Sequence, residues 1–165
     1  MTLDRLPAGS RVFVDSTIFI YHAAGASLQC RSFLERCEAG EIKGVTSVVA
    51  LAETAHRLMM IEAVIQGLVS AKDVPKRLRA RPDIVRKLHV YQEQVERIPL
   101  MGIEVVSVGH DVLLASAEVR RQHGLLVNDS LIVAAARAAG IATLASADRD
   151  FARVKGLIVY GPADL

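Results

Sequence analysis

Five carboxylates in this sequence fall where acids can do chemistry. Asp15 closes the β-branched run Arg11-Val-Phe-Val. Glu53 is the acid in the apolar stretch Val48-Val-Ala-Leu-Ala-Glu-Thr-Ala, where an unpaired carboxylate would be expensive to bury. Asp129 follows Asn128 and opens Ser130-Leu-Ile-Val-Ala-Ala-Ala, while Asp148 and Asp150 follow Leu144-Ala-Ser. Each has an ordinary explanation. Asp15, and either Asn128 or Asp129, can cap a helix; Glu53 can face solvent; Asp148 and Asp150 can shape a turn. A cluster has another consequence, because like charges brought together are stable only with cations or with raised pKa values. Oxygen-only clusters suit hard cations such as Mg²⁺ and Mn²⁺. Two such ions can activate a water and stabilise the leaving oxygen in phosphodiester cleavage.

The elements that would position these acids can be read from periodicity. Arg11 to Asp15, Lys43 to Thr46, Ile103 to Val108, Ile141 to Leu144 and Leu157 to Tyr160 read as strands. Between them, Ser27 to Ala39 has apolar residues at helical spacing and stops at Gly40. Ser47 caps a helix through Met59, Val112 to His123 ends at Gly124, and Asp129 to Ala139 is apolar nearly all round, as a buried central helix is. Strands alternating with helices imply right-handed βαβ units and a parallel sheet covered on both faces. Ligands of such sheets sit beyond the carboxyl ends of the strands. Three of the four acidic sets fall at strand ends or helix starts on that side, and Glu53 is one helix away.

With 165 residues, 52% of them apolar and 4% aromatic, the chain is sized for one domain, residues 1–165, with an aliphatic core. A net charge of +2 is too small to argue for a polyanionic partner, so distribution matters more. Pro75, Pro82 and Pro99 punctuate residues 71–99, and Lys72 to Arg97 holds eight Lys or Arg against four Asp or Glu. This stretch reads as a basic helical insert, either a solvated face or a phosphate-tracking surface, with Lys76, Arg77, Arg79 and Arg81 as candidate RNA contacts. Tyr21 and Tyr91 are the nearest candidates for base stacking.

Other chemistries lack their motifs. Cys30 and Cys37 form no Cys-x-x-Cys pair and read as small core hydrophobes in a reducing compartment. The five histidines share no ligand spacing, although His56 lies three residues beyond Glu53. No dinucleotide fingerprint, P-loop or nucleophile elbow is present. Asp15 has no second Asp two residues later, which weakens an aspartyl phosphatase reading. Met1 to Arg11 has no apolar signal core, and the Ala-rich stretch from Ser130 to Ala147 is interrupted by Arg137 and Gly140. A soluble, cytoplasmic protein without a membrane partner is expected.

Val-Asp15-Ser-Thr, Glu53 after a Thr-Ser strand end, Asn128-Asp129-Ser-Leu-Ile-Val-Ala-Ala-Ala and Ser-Ala-Asp148-Arg-Asp150-Phe, in that order, resemble the PIN-domain family. The similarity runs from about Val12 to Pro162 and is nearest to the toxin ribonucleases of VapBC-type toxin–antitoxin pairs. It implies a three-layer α/β/α sandwich with a parallel five-stranded sheet and Mg²⁺- or Mn²⁺-dependent endoribonuclease activity. It also implies frequent homodimerisation and inhibition by a small antitoxin. By motif, Asp15 and Asp129 would be the principal metal ligands, Glu53 would complete the pocket, and Asp148 ranks slightly ahead of Asp150 as the last acid. Ser16, Asn128 and Ser130 are expected to orient these ligands through hydrogen bonds. The departure from a minimal toxin is the insert at 71–99. A PIN nuclease of RNA maturation and a PIN domain that binds without cutting are the rival readings, and intact acids at every motif position count against the second.

Overall fold

A computed structural model describes residues 1–165. Five strands, β1 (Arg11–Val14), β2 (Lys43–Ser47), β3 (Ile103–Val106), β4 (Thr143–Ala145) and β5 (Ile158–Tyr160), form one sheet in the order β3-β2-β1-β4-β5. Every pairing is parallel. The chain therefore winds outward from β1 in both directions, and the order reverses between β1 and β4. At such a switch point the connections diverge to opposite faces and leave a crevice beyond the strand ends.

The central strand shows why both faces must be covered. Val12, Phe13 and Val14 are all buried, and successive side chains point to opposite sides. Phe13 joins a core with Val45, Leu144 and Ile132, whereas Val12 and Val14 join Ile18, Phe33 and Leu34. The second core is covered by α1 (Ser16–Ala23) and α2 (Leu28–Glu38), and the first by α7 (His110–His123) and α8 (Val127–Ala138). Gly44 lets Ile103 pack close to β2, since a Cβ there would displace Ile103 Cδ1. Cys30 and Cys37 are free and buried in the α2 core, and burial pushes the Cys37 thiol up to about 12.

Helix α3 (Val48–Ile65), capped by Ser47, runs from the strand ends to the insert. The insert itself is three short helices, α4 (Val74–Ala80), α5 (Pro82–Val85) and α6 (Val90–Arg97). Pro75 and Pro82 lie in first turns, where a missing N–H costs nothing. Val74, Leu78, Ile84 and Leu88 make a small core that depends on Ala63 of α3. Buried Glu62 fastens the same junction. Its carboxylate accepts from the backbone N–H of His89 (3.1 Å) and Tyr91 (2.8 Å) and from Gln66 Nε2 (2.9 Å). Burial raises its pKa, but the backbone donors at the start of α6 outweigh burial and leave it lowered.

Two strand boundaries shift by two residues from the sequence reading, β3 stopping at Val106 and β4 beginning at Thr143, and the others move by one residue at most. No helix is long and apolar enough to cross a membrane.

Candidate active site

Asp15 leaves β1 at the switch point and is 4% exposed. It caps α1, as the bland reading holds, but the cap uses only one of its oxygens. Oδ2 accepts from the Thr17 backbone N–H (3.3 Å), Thr17 Oγ1 (2.6 Å) and Ser146 Oγ (2.7 Å). Oδ1 has only a long contact from Ser16 Oγ, at 3.4 Å. One oxygen is thus fixed from α1 and from the end of β4 while the other keeps its lone pairs.

Ser146 couples the two strand ends. It lies just past β4, donates to Asp15 and accepts from the Asp148 N–H at 3.0 Å. Thr17 Oγ1 accepts from the Ala147 N–H at 3.0 Å, closing a second link across the same gap. Asp148 Oδ1 then accepts from the Asp150 N–H at 2.8 Å and starts a short 3₁₀ turn over Arg149–Arg153. Asp150 pairs with Arg153. Turn-shaping therefore belongs to Asp148, while Asp150 is the acid engaged by a cation.

Glu53 and Asp129 complete the mouth from α3 and α8, both half-buried. Burial raises the Glu53 pKa, and repulsion from Asp15 and Asp129 adds to it, against the relief given by Ser16 and Arg57. Burial likewise raises Asp129, reinforced by repulsion from Asp148, Asp15 and Asp150. Asp129 thus lies within electrostatic reach of Asp15, Glu53, Asp148 and Asp150, and Glu53 within reach of Asp15. None of the six ion pairs in the molecule engages Asp15, Glu53, Asp129 or Asp148. No three acids close on a single point tightly enough to grip one ion. Carboxylates of like charge stand apart unless a cation draws them together.

Three expectations need correction. Helix α8 begins at Val127 after Leu126, with no side-chain cap, so neither Asn128 nor Asp129 is the cap. The Ser130 N–H already bonds Leu126 O, which draws both residues inside the first turn. Ser130 does not orient a carboxylate: its hydroxyl donates to Val127 O and accepts from Arg120 Nη1, at 2.7 and 2.9 Å. Asn128 is exposed and lines a groove with Glu53, His56 and Arg57. Ser16 does stand beside both Asp15 and Glu53.

Thr17, Ser146 and Arg57 also belong to the site and are not singled out by the sequence reading. Thr17 carried a usable signal, being a hydroxyl two residues after a capping Asp. Arg57 stands one helical turn after Glu53, a spacing that puts both on one face. Ser146 becomes visible only once β1 is known to pair with β4. In the insert, Lys76, Arg77, Arg79 and Arg81 are all exposed, but Arg81 is held by Asp83 at 2.8 Å. That pairing holds the Asp83 carboxyl at about 2. Tyr21 and Tyr91 are half-buried and pack against the cores.

A doubly wound five-stranded parallel sheet with an acidic mouth at its switch point places the chain among α/β domains whose crevice lies beyond the strand ends. The family model for the PIN domain matches residues 12–157, and the chain belongs to that family. It is 26% identical over 149 residues to Ribonuclease VapC6 of Methanocaldococcus jannaschii, covering 88% of this chain and 93% of that protein. Among solved structures it is similar to a toxin–antitoxin complex from Klebsiella pneumoniae, with a TM-score of 0.57 and 21% identity over 93% of this chain and 99% of that one. It is also similar to VapC20 of Mycobacterium tuberculosis, a sarcin-ricin loop cleaving toxin, with a TM-score of 0.57 and 20% identity over 86% of this chain and 92% of that one. The fold is the PIN-like α/β/α sandwich that these toxins share.

Proposed function

We propose that this protein is a metal-dependent endoribonuclease and the toxin of a toxin–antitoxin pair. The observation that carries the reading is the acidic mouth at the switch point, where buried Asp15 and half-buried Glu53, Asp129 and Asp148 make no ion pair; Asp129 is repelled by Asp15 and Asp148, and Glu53 by Asp15 and Asp129. Such a donor set fits a hard divalent cation, Mg²⁺ or Mn²⁺. When bound, the metal supplies an activated water and neutralises charge on the leaving oxygen.

The chain's own residues hold and aim the ligands. Thr17 and Ser146 fix Oδ2 of Asp15, so Oδ1 is the oxygen left to coordinate. Asp129 and Glu53 bring the remaining charge from α8 and α3. Asp148 keeps one oxygen for its turn and offers the other, and Asp150, paired with Arg153, contributes mainly by charge. Ser16 steadies both Asp15 and Glu53.

The exposed Lys76, Arg77 and Arg79 of the insert attract the RNA backbone towards this acidic mouth, as an acid-lined site needs in order to receive a polyanion. The whole chain acts as one cytoplasmic domain carrying the insert at 71–99. A homodimer partnered by a small antitoxin is the assembly that fits its toxin relatives.

The test is cleavage of single-stranded or structured RNA by the purified protein with Mn²⁺ or Mg²⁺ and after exhaustive EDTA treatment. Activity that disappears with the metal and returns with Mn²⁺ is expected; full activity in EDTA overturns the metal mechanism. Induction in cells separates toxin from processing enzyme. Growth arrest relieved by a co-expressed neighbouring small protein is expected of a toxin, whereas harmless expression of active enzyme assigns it to RNA maturation.

A further inference from the structure

A groove of about 810 Å³ opens beside the acidic mouth, between the start of α3 and the start of α4. Glu53 belongs to both, so whatever fills the groove lies next to the reacting centre. Its walls are chemically divided. Val49, Met60, Pro75 and Leu131 supply an apolar surface, and His56, Arg57 and Asn128 supply the polar rim. All three polar side chains are exposed, and none makes a side-chain hydrogen bond or ion pair within the protein. A mostly apolar concavity with a few free, convergent polar groups is the usual build of a small-ligand site, and this volume falls within the usual range of about 300–1,000 Å³.

The charge pattern narrows the occupant. Glu53 alone would repel a phosphate, yet Arg57 stands one turn beyond it and faces the same groove. The pairing of one uncommitted guanidinium with an apolar wall matches a nucleotide, with phosphate on the cation and base on the wall. Unpaired bases stack on guanidinium or imidazole planes and are read along their edges by side-chain amides, whereas duplex bases are hidden in their stack. His56 and Asn128 are groups of these two kinds.

We propose that this groove is the subsite for one unpaired nucleotide flanking the cleaved phosphodiester. Arg57 holds its phosphate, Val49, Met60 and Leu131 receive its base, and Asn128 meets the base edge. The assignment rests on the ribonuclease reading for its meaning, but the groove's binding of RNA can be measured apart from cleavage. It makes the protein select RNA by an extruded or single-stranded base at that step, and it refuses a continuous duplex.

The experiment uses fluorescence anisotropy of the full chain in EDTA, with a labelled single-stranded RNA hexamer and a blunt RNA duplex. The hexamer should bind more tightly than the duplex. Arg57→Gln should weaken hexamer binding about tenfold, the usual loss for a hydrogen bond to a charged group. It should also reduce the salt slope by about 0.7, the value for one single-strand phosphate contact. Met60→Trp, which fills the apolar wall, should weaken hexamer binding similarly and leave the salt slope alone. With Mn²⁺, KM for RNA should rise in Met60→Trp, and the wild type should turn over bis(p-nitrophenyl) phosphate, a diester too small to need the groove. Unchanged hexamer affinity in both variants overturns the proposal and assigns the groove to another occupant, such as a peptide. Failure of the wild type to cleave either diester or RNA overturns the ribonuclease reading, while the anisotropy still decides whether the groove binds a nucleotide.

Discussion

Helix α3 carries two glutamates nine residues apart, and they meet opposite fates. Glu62, at the insert end, is buried and saturated by donors from α6 and Gln66, so its charge is stabilised. Glu53, at the strand-end side, is half-buried among other acids, so its charge is penalised. A folded protein satisfies a buried carboxylate when the role is structural. In the proposed function, the partner that these mutually repelling acids lack is a bound cation. The same helix thus joins a finished anchor to an unfinished site.

The largest effect should follow from altering the unfinished side. Asp15→Asn keeps the size and the capping ability of the residue, since Asn and Asp rank together at N-caps. Stability should hold, while Mn²⁺-dependent RNA cleavage should fall at least about 100-fold, beyond what loss of an outer hydrogen bond costs. Wild-type cleavage by this variant would reduce Asp15 to a helix cap.

The finished side should respond in the opposite way. Glu62→Ala strands the N–H groups of His89 and Tyr91, and urea unfolding should show a loss of about 2–3 kcal/mol. Cleavage per folded molecule should be unchanged. If stability is unaffected and cleavage falls, the two glutamates do not differ as described.

How far the sequence reveals this contrast depends on how local the partners are. Asp15, Glu53 and Asp129 could be singled out because each interrupts or ends an apolar run. The five strands and the parallel sheet were equally legible, since Val12-Phe-Val and its counterparts alternate with helices of clear period. Glu62 could not be read, because its donors at His89 and Tyr91 lie beyond two intervening helices. Ser146 was hidden for a related reason: its link to Asp15 exists only through the pairing of β1 with β4. The cap of α8 was misread because Asn128 and Asp129 are good capping residues; tertiary packing of the apolar helix starts it two residues earlier than local preference suggests.

Ser146→Ala tests that hidden link and should give a smaller effect than Asp15→Asn. It frees one side of Asp15 Oδ2 without removing a charge. Mn²⁺ affinity measured by calorimetry should fall about tenfold, the lower end for a residue that orients a ligand. An unchanged affinity would mean that Thr17 alone suffices to hold Asp15.

Glu53 and Asp129 stand in a cluster of repelling acids, and in the proposed function a cation relieves that repulsion. Glu53 and Asp129 have raised pKa values in the folded state, so the folded chain holds their protons more tightly than the unfolded one. Their penalty is absent below the ordinary carboxylate pKa of about 4 and grows as pH rises through the folded values, where it becomes complete. The direct measurement is thermal melting of wild type and Asp129→Asn at neutral pH, each with EDTA and with Mn²⁺. The variant should melt at or above wild type in EDTA, and Mn²⁺ should raise the wild-type midpoint but scarcely move the variant's. A variant less stable than wild type in EDTA, with the Mn²⁺ shift intact, would contradict the repulsion and its relief.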